Sequence, residues 1–481
     1  MNYKMMGRFI AQILIIEAIF MLPAAFISLG YGEYKAMWSF FATIGINALI
    51  SGVLFWLCKG APNAFYAKEG LVCVGISWIV LSMFGCLPFW FSQEIPKYVD
   101  AFFEIVSGFT TTGASILTNV EALTPGILYW RSFSHWLGGM GVLVFLLAFT
   151  GSQGQGFTLH LLRAESPGPD VGKLVPKMRT TASILYIIYI VMTIINVIFL
   201  LAGDMPFLEA LCTAFGTAGT GGLAIKNDSM ASYSPYLQNV TTIFMALFGI
   251  NFSCYYLLLL RQFRNVFKDE ELRLYLAIIL AAIVLIVLDV RDLYPTLGET
   301  IRHAAFQVSS IITTTGYAST DFDLWPTFSK TVLMCLMVVG GCAGSTAGGL
   351  KVTRFLLLMK SLRRNIRQIL NPRKVQVVRN NESVVSETVL DNTNAYLAAY
   401  FVILFALFLI ISLDGFSIGT NFSAVLCTFN NVGPGFEAVG PMCNFSIYSD
   451  LSTFVLSIGM LAGRLEIFPI LVLFSRSTWK R

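Results

Sequence analysis

Four short stretches decide how this sequence is read. They are Thr110-Thr111-Thr112-Gly113-Ala114, Thr217-Ala218-Gly219-Thr220-Gly221-Gly222-Leu223, Thr313-Thr314-Thr315-Gly316-Tyr317 and Asn430-Asn431-Val432-Gly433-Pro434-Gly435-Phe436. Each follows an apolar half-helix, marked by Phe102-Phe103, Phe207-Leu208, Ala304-Ala305-Phe306 and Val425-Leu426. With Gly113, Gly222, Gly316 and Gly435 as anchors, the spacings are 109, 94 and 119 residues. In the second stretch Gly219 and Gly221 compete with Gly222 for the anchor position. Glycine permits backbone angles that turn successive carbonyls toward one axis, and threonine adds a hydroxyl oxygen. Four such strands around an axis can replace the water shell of a dehydrated cation. One stretch alone is weak evidence, since Thr-rich turns before Gly are common and glycine also caps helix ends. Four, in matched settings, point to coordination.

Those settings are four linkers, 93–126, 203–236, 291–327 and 414–450, of 34, 34, 37 and 37 residues. Their centres are too apolar for solvated loops, so each is expected to dip into the bilayer and return. Irregular backbone at that depth is tolerated only where it is buried or lines water. Around them lie ten candidate spans: 9–29, 36–57, 71–92, 127–150, 184–202, 237–260, 272–290, a broken 328–358, 395–413 and 451–474. The first run is 21 residues, longer than the apolar core of a signal peptide, and reads as an uncleaved span. The expected fold is all-α: two leading helices (1–66), then four parallel helix–pore loop–helix repeats over 67–160, 161–265, 266–375 and 376–481.

Composition agrees. Of the 481 residues 56% are hydrophobic and 12% charged, half the roughly 25% charge of soluble domains. A soluble enzyme, a disordered chain and a disulfide scaffold are excluded. The nine Cys show no metal spacing and the three His are scattered. No paired acids, H-E-x-x-H or Ser/Lys pair falls within the spans, so no enzyme activity is expected, nor a nucleic-acid partner. With both termini placed inside, the inner face collects 24 of the 32 Lys and Arg, seven lie outside (Arg131 among them), and Arg464 sits within a span. Positive-inside bias therefore puts both termini in the cytoplasm. Sixteen of the 27 acids fall outside, which suggests an acidic outer vestibule that concentrates cations.

Two features interrupt the spans. Gly340-Gly341-Cys342-Ala343-Gly344-Ser345-Thr346-Ala347-Gly348-Gly349-Leu350-Lys351 breaks the eighth. Five Gly in ten residues make continuous helix costly, roughly 1 kcal/mol each against Ala. A flexible intramembrane loop beneath the strands is expected, acting as a gate through Gly340, Gly341, Gly344, Gly348, Gly349 and Lys351. The string lacks G-K-[ST] and is not a phosphate loop. Arg464 interrupts the last span, two residues before Glu466. A charge there is a functional candidate, with a structural ion pair as the plainer alternative. Glu17 reads as structural.

With these motifs the chain resembles the potassium transporter superfamily that includes TrkH, KtrB and plant HKT proteins. The extra leading pair of spans resembles the TrkH type. The resemblance implies a pseudo-fourfold, potassium-selective pore in one polypeptide, with one filter glycine per repeat at Gly113, Gly222, Gly316 and Gly435. Its ligand set would comprise Thr111, Thr112, Gly113, Thr220, Gly221, Gly222, Thr314, Thr315, Gly316, Asn431, Val432 and Gly435, with potassium as the bound and transported ion. In plant relatives a Ser in the first filter accompanies sodium transport, so Gly113 favours potassium. The resemblance also implies an intramembrane gate at 340–349 and an electrostatic brake at Arg464. It further implies a homodimer in the lipid bilayer of the inner membrane, and a cytosolic nucleotide-binding regulatory subunit of the TrkA type. The alternative is a sodium- or proton-coupled secondary transporter, which often carries inverted repeats; these repeats run parallel.

Overall fold

The computed structural model describes residues 1–60, 67–141, 178–381 and 383–479. Residues 142–150 of the expected span 127–150 lie outside the described residues. So do Arg163, Lys173 and Lys177 of the following linker, and Lys480 and Arg481. Among the described residues the regular structure is helical apart from one small hairpin, Arg379–Asn380 against Ser383–Val384.

The two leading helices, Tyr3–Gly30 and Tyr34–Leu57, pack along each other. Small polar groups knit them inside an otherwise apolar pair. Ser51 Oγ donates to the Ala11 carbonyl at 2.8 Å, and Asn47 Nδ2 donates to Glu17 at 3.4 Å. Glu17 is thus buried between helices. Outward-facing residues are apolar and exposed: Leu49 and Trp56 here, Leu280 and Leu288 on Glu270–Val290, Val402 and Leu409 on Glu387–Ile411. A surface of that kind calls for lipid rather than water. Six described helices are long and apolar enough to cross a membrane, and a bent pair makes up to seven.

The four expected dips are helices Tyr98–Phe109, Phe207–Gly219, Leu297–Ile312 and Ile418–Phe429. At 12 to 16 residues they rise about 18–24 Å, short of the ~30 Å hydrocarbon core. In the first, every residue from Ala101 to Phe109 is buried, so these half-helices form the centre of the molecule.

The expectation of ten continuous spans with a single break needs revision. The helix after each dip is interrupted or ends early. Pro125–Gly139 stops at Gly139. Pro235–Phe248 and Phe252–Leu259 meet at 89° across Gly249–Asn251. Thr327–Val339 gives way to the glycine-rich loop before Val352–Leu370. Asp450–Arg464 breaks before Phe468–Phe474, with Glu466 and Ile467 at φ 55° and 68°. These breaks touch one another. Cys342 N donates to the Gly249 carbonyl at 3.0 Å, and Phe252 N to the Gly344 carbonyl at 3.0 Å. Backbone groups freed from one helix are satisfied by the next, which is how broken helix survives at membrane depth.

Candidate functional site: a ring of four strands over a glycine loop

All four half-helices end alike. Thr112 N donates to Ser107 O at 2.9 Å; Gly221 N to Gly216 O, Thr315 N to Ser310 O and Val432 N to Cys427 O, each at 2.8 Å. One residue earlier, Thr111, Thr220, Thr314 and Asn431 donate to carbonyls three residues back, at 3.1–3.2 Å. This is the Schellman helix stop. Its left-handed residue is normally Gly. Here it is Thr111, Thr220, Thr314 and Asn431, at φ 54–57°. Threonine is β-branched and avoids this region, so a mere helix end would not select it three times. Strain of this kind clusters at functional sites. Each helix also brings the negative end of its dipole to the strand that follows.

Two residues on, each strand carries a glycine at positive φ: Gly113 (80°), Gly222 (65°), Gly316 (84°) and Gly433 (100°). Their neighbours close a circuit. A Cβ on Gly113 would collide with the Gly221 carbonyl, and one on Gly222 with that of Thr315. A Cβ on Gly316 would strike Val432 O, and on Gly433 it would lie 2.8 Å from Thr112 O. The four strands therefore stand in a ring, in chain order, too close for side chains at these glycines. In the second strand the equivalent residue is Gly222; Gly219 and Gly221 pack instead on His135. In the fourth the sequence reading is out of register. The equivalent glycine is Gly433, whereas Gly435 has no positive φ and faces Val439 and Ser423 of its own linker.

The expected ligand residues are thus brought together, apart from Gly435. Some hydroxyls turn away: Thr112 Oγ1 pairs with Thr110 at 2.7 Å and accepts from Asn431 Nδ2 at 2.9 Å. Thr315 Oγ1 pairs with Thr313 at 2.8 Å. Their backbone carbonyls remain as the oxygens at the strand contacts. Such an array of oxygens in a buried ring suits a dehydrated monovalent cation.

Outside the ring lies a cavity of about 140 Å³ lined by Gly113, Gly222, Gly316 and Gly433. Its wall also holds Arg131 and Lys226 and, among the described residues, no carboxylate. The lining of this mouth does not show the expected acidic vestibule, and several outer acids are engaged with local partners. Lys330 lies 3.6 Å from Asp323, and Lys97 lies 3.1 Å from Asp450. Glu437 accepts from Ser417 and Thr420, which holds its carboxyl below the usual range. Most consequential is Glu104, fully buried on the first half-helix. It pairs with buried Arg131 at 2.6 Å and accepts from Ile116 N at 2.9 Å. Arg131 also donates to Ala224 O at 2.5 Å. One ion pair thus ties the outer ends of the first and second strands. Sequence reading counted Arg131 only as an outer charge. An acid inside the apolar run Ala101–Phe109 was the available signal.

Beneath the ring lies the loop 340–351. Gly348 N donates to Thr314 Oγ1 at 2.6 Å, and Gly349 N to Asn430 O at 3.0 Å. Glu271, 72 residues earlier than Ala343, accepts from Ala343 N at 2.6 Å and Thr353 N at 3.2 Å, pinning both ends of the loop. Lys351, buried and at φ 74°, donates to Ala347 O within the loop. Arg464 donates to Thr346 O at 2.9 Å and to Gly138 O and Gly139 O at 2.6 Å. It joins the loop to the C-terminal end of the helix Pro125–Gly139. Glu466 pairs with Arg354 of the neighbouring helix.

A family profile described as TrkH, cation transport protein, matches residues 37–480. The chain is 32% identical over the full length of both chains to the Trk system potassium uptake protein TrkH of Salmonella typhimurium. It is equally so to the protein of that name from Escherichia coli K12. The crystal structure of the potassium transporter TrkH from Vibrio parahaemolyticus superposes with a TM-score of 0.89, at 29% identity, covering all of both chains.

Proposed function

The chain belongs to the TrkH family of cation transport proteins, and from that premise we propose channel-like potassium permeation through the ring of four strands, gated by the loop 340–349. It is a multi-pass membrane protein of a potassium uptake system, a transporter and not an enzyme. Potassium is its substrate, not a cofactor.

The observation that carries this reading is the closed circuit of Gly113, Gly222, Gly316 and Gly433, each two residues after a left-handed Thr or Asn. Backbone oxygens would replace the ion's water there at little reorganisation cost. Four repeats (67–160, 161–265, 266–375, 376–481) after a leading pair (1–66) would each supply one strand. The ligands would be Thr111, Thr112, Gly113, Thr220, Gly221, Gly222, Thr314, Thr315, Gly316, Asn431, Val432 and Gly433. Lys351 and Arg464 would hold positive charge beneath them, opposing passage while the loop is closed.

Charge bias supports an inner-membrane orientation with both termini in the cytoplasm. The basic stretch Lys360, Arg363, Arg364, Arg367, Arg373, Lys374 and Arg379 continues from the loop. It would dock a cytosolic nucleotide-binding ring of the TrkA type, with the chain acting as a homodimer. Such a partner moves the gate only through different affinities for its two states.

The test is flux in reconstituted vesicles. Rubidium, standing in for potassium, should move down its gradient with sodium absent and pH equal on both sides. Uptake only when a sodium or proton gradient is imposed would replace this reading with a coupled transporter.

A further inference from the structure

The left-handed position is matched by backbone geometry in all four strands, but its side-chain oxygens are not equally available. Thr111 Oγ1 and Asn431 Oδ1 are buried with no hydrogen-bond partner among the described residues. Thr220 Oγ1 donates to the adjacent Gly219 O at 2.6 Å, which leaves its lone pairs open. Thr314 Oγ1 alone of the four accepts a backbone N–H from the loop, that of Gly348 at 2.6 Å. The next loop N–H, Gly349, donates to Asn430 O at 3.0 Å, beside the fourth left-handed residue. Gly348 is glycine because a Cβ would lie 2.5 Å from Asn430 O and 3.2 Å from Thr314 Oγ1. The loop is therefore hydrogen-bonded to the underside of the ring as well as lying beneath it.

A donor and a cation compete for the same lone pairs. Buried oxygens without partners are costly to leave unmatched; three of the four at this level accept no hydrogen bond, while one of the two lone pairs of Thr314 Oγ1 is taken by the loop. We propose that the Gly348 N–H is a latch. It withdraws Thr314 Oγ1 from an innermost cation position formed at the level of Thr111, Thr220, Thr314 and Asn431, so that this position is complete only when the loop has lifted. This rests on the reading of 340–349 as the gate and names how that gate is regulated. By linkage, a cation that needs the fourth oxygen favours the open loop, and the closed loop weakens the cation by the same factor. Thr314 is then a ligand and a gate contact at once, whereas Thr111 is a ligand only.

The experiment compares Thr314→Val with Thr111→Val and Thr314→Ser in rubidium uptake by reconstituted protein, with and without the cytosolic partner. Both Val variants remove one oxygen and should raise the concentration giving half-maximal uptake. Only Thr314→Val should also raise uptake without partner, by about fivefold, the effect of one lost net hydrogen bond. Thr314→Ser keeps the hydroxyl that accepts from Gly348 N, so its partner-free uptake should stay below that of Thr314→Val. Equal partner-free uptake in the two Val variants would overturn the latch. An unchanged half-maximal concentration in both would overturn the ring as the cation path, a distinguishable failure. Hydrogen exchange of the Gly348 and Gly349 amides in the unaltered full-length protein serves if a variant does not assemble. Added potassium should speed that exchange relative to an impermeant organic cation; no potassium dependence would also overturn the latch.

Discussion

Replacing Gly113 with serine is expected to cost about tenfold or more in discrimination between potassium and sodium. Gly113 sits at φ 80°, where an L side chain is strained, and its Cβ would be driven into the Gly221 carbonyl. The second strand must shift or rotate to accommodate it. A filter distinguishes ions by the number and placement of its oxygens, and a difference of about 1.4 kcal/mol between two ions is already tenfold. The added hydroxyl also supplies a ligand suited to the smaller ion. Gly433→Ser should act in the same direction, since Gly433 closes the circuit against Thr112 and Gly113. Gly435→Ser should have the smaller effect, because that residue faces Val439 and Ser423. Competitive uptake of rubidium and sodium measures all three. If Gly435→Ser were the damaging change and Gly433→Ser neutral, the register assigned here would be wrong.

The second large effect is expected at Arg464. Its guanidinium joins Thr346 O of the loop to Gly138 O and Gly139 O. Arg464→Ala removes a positive charge beside the proposed ion path and a tether of the closed loop. A unit charge about 10 Å from an ion, at an effective dielectric near 20, adds about 1.7 kcal/mol, worth roughly tenfold in rate. Partner-free rubidium flux should rise by about that factor. Shortening 340–349 should give at least as much flux, no longer responsive to the partner. The neighbouring acid Glu466 is engaged with Arg354. Arg464→Ala protein that assembles normally and conducts no faster would remove the brake from the mechanism.

Much of the ring was legible in the residues. Thr-Thr-Thr-Gly after an apolar half-helix, repeated in linkers of equal length, carries its own geometry. The glycine string 340–349 announced its break through helix propensity alone. What stayed hidden has physical reasons. The fourth strand was misaligned by two residues because Asn-Val-Gly-Pro-Gly offers two glycines. The deciding feature is the left-handed Asn431, identified only by where the preceding helix stops. Asparagine is the non-glycine residue most at ease there, so counting two residues from it would have selected Gly433. The break at Leu465–Ile467 contains no glycine, and Glu466 and Ile467 adopt positive φ under tertiary constraint. Gly463, Arg464 and Pro469 mark an interruption in the local sequence, but not the left-handed turn at Glu466 and Ile467. Glu104 with Arg131, and Glu271 with Ala343 and Thr353, are pairings across 27 to 82 residues, beyond any periodicity or spacing rule. The outer acids looked like a cation funnel because a charge count cannot tell a paired carboxylate from a free one.

The most direct test of the pore is the position of the ion itself. Anomalous scattering from thallium or rubidium in crystals of the protein should place density on the axis enclosed by Gly113, Gly222, Gly316 and Gly433, within coordination distance of their strands' carbonyls. Density elsewhere in the molecule, with none on that axis under saturating ion, would contradict permeation through the ring.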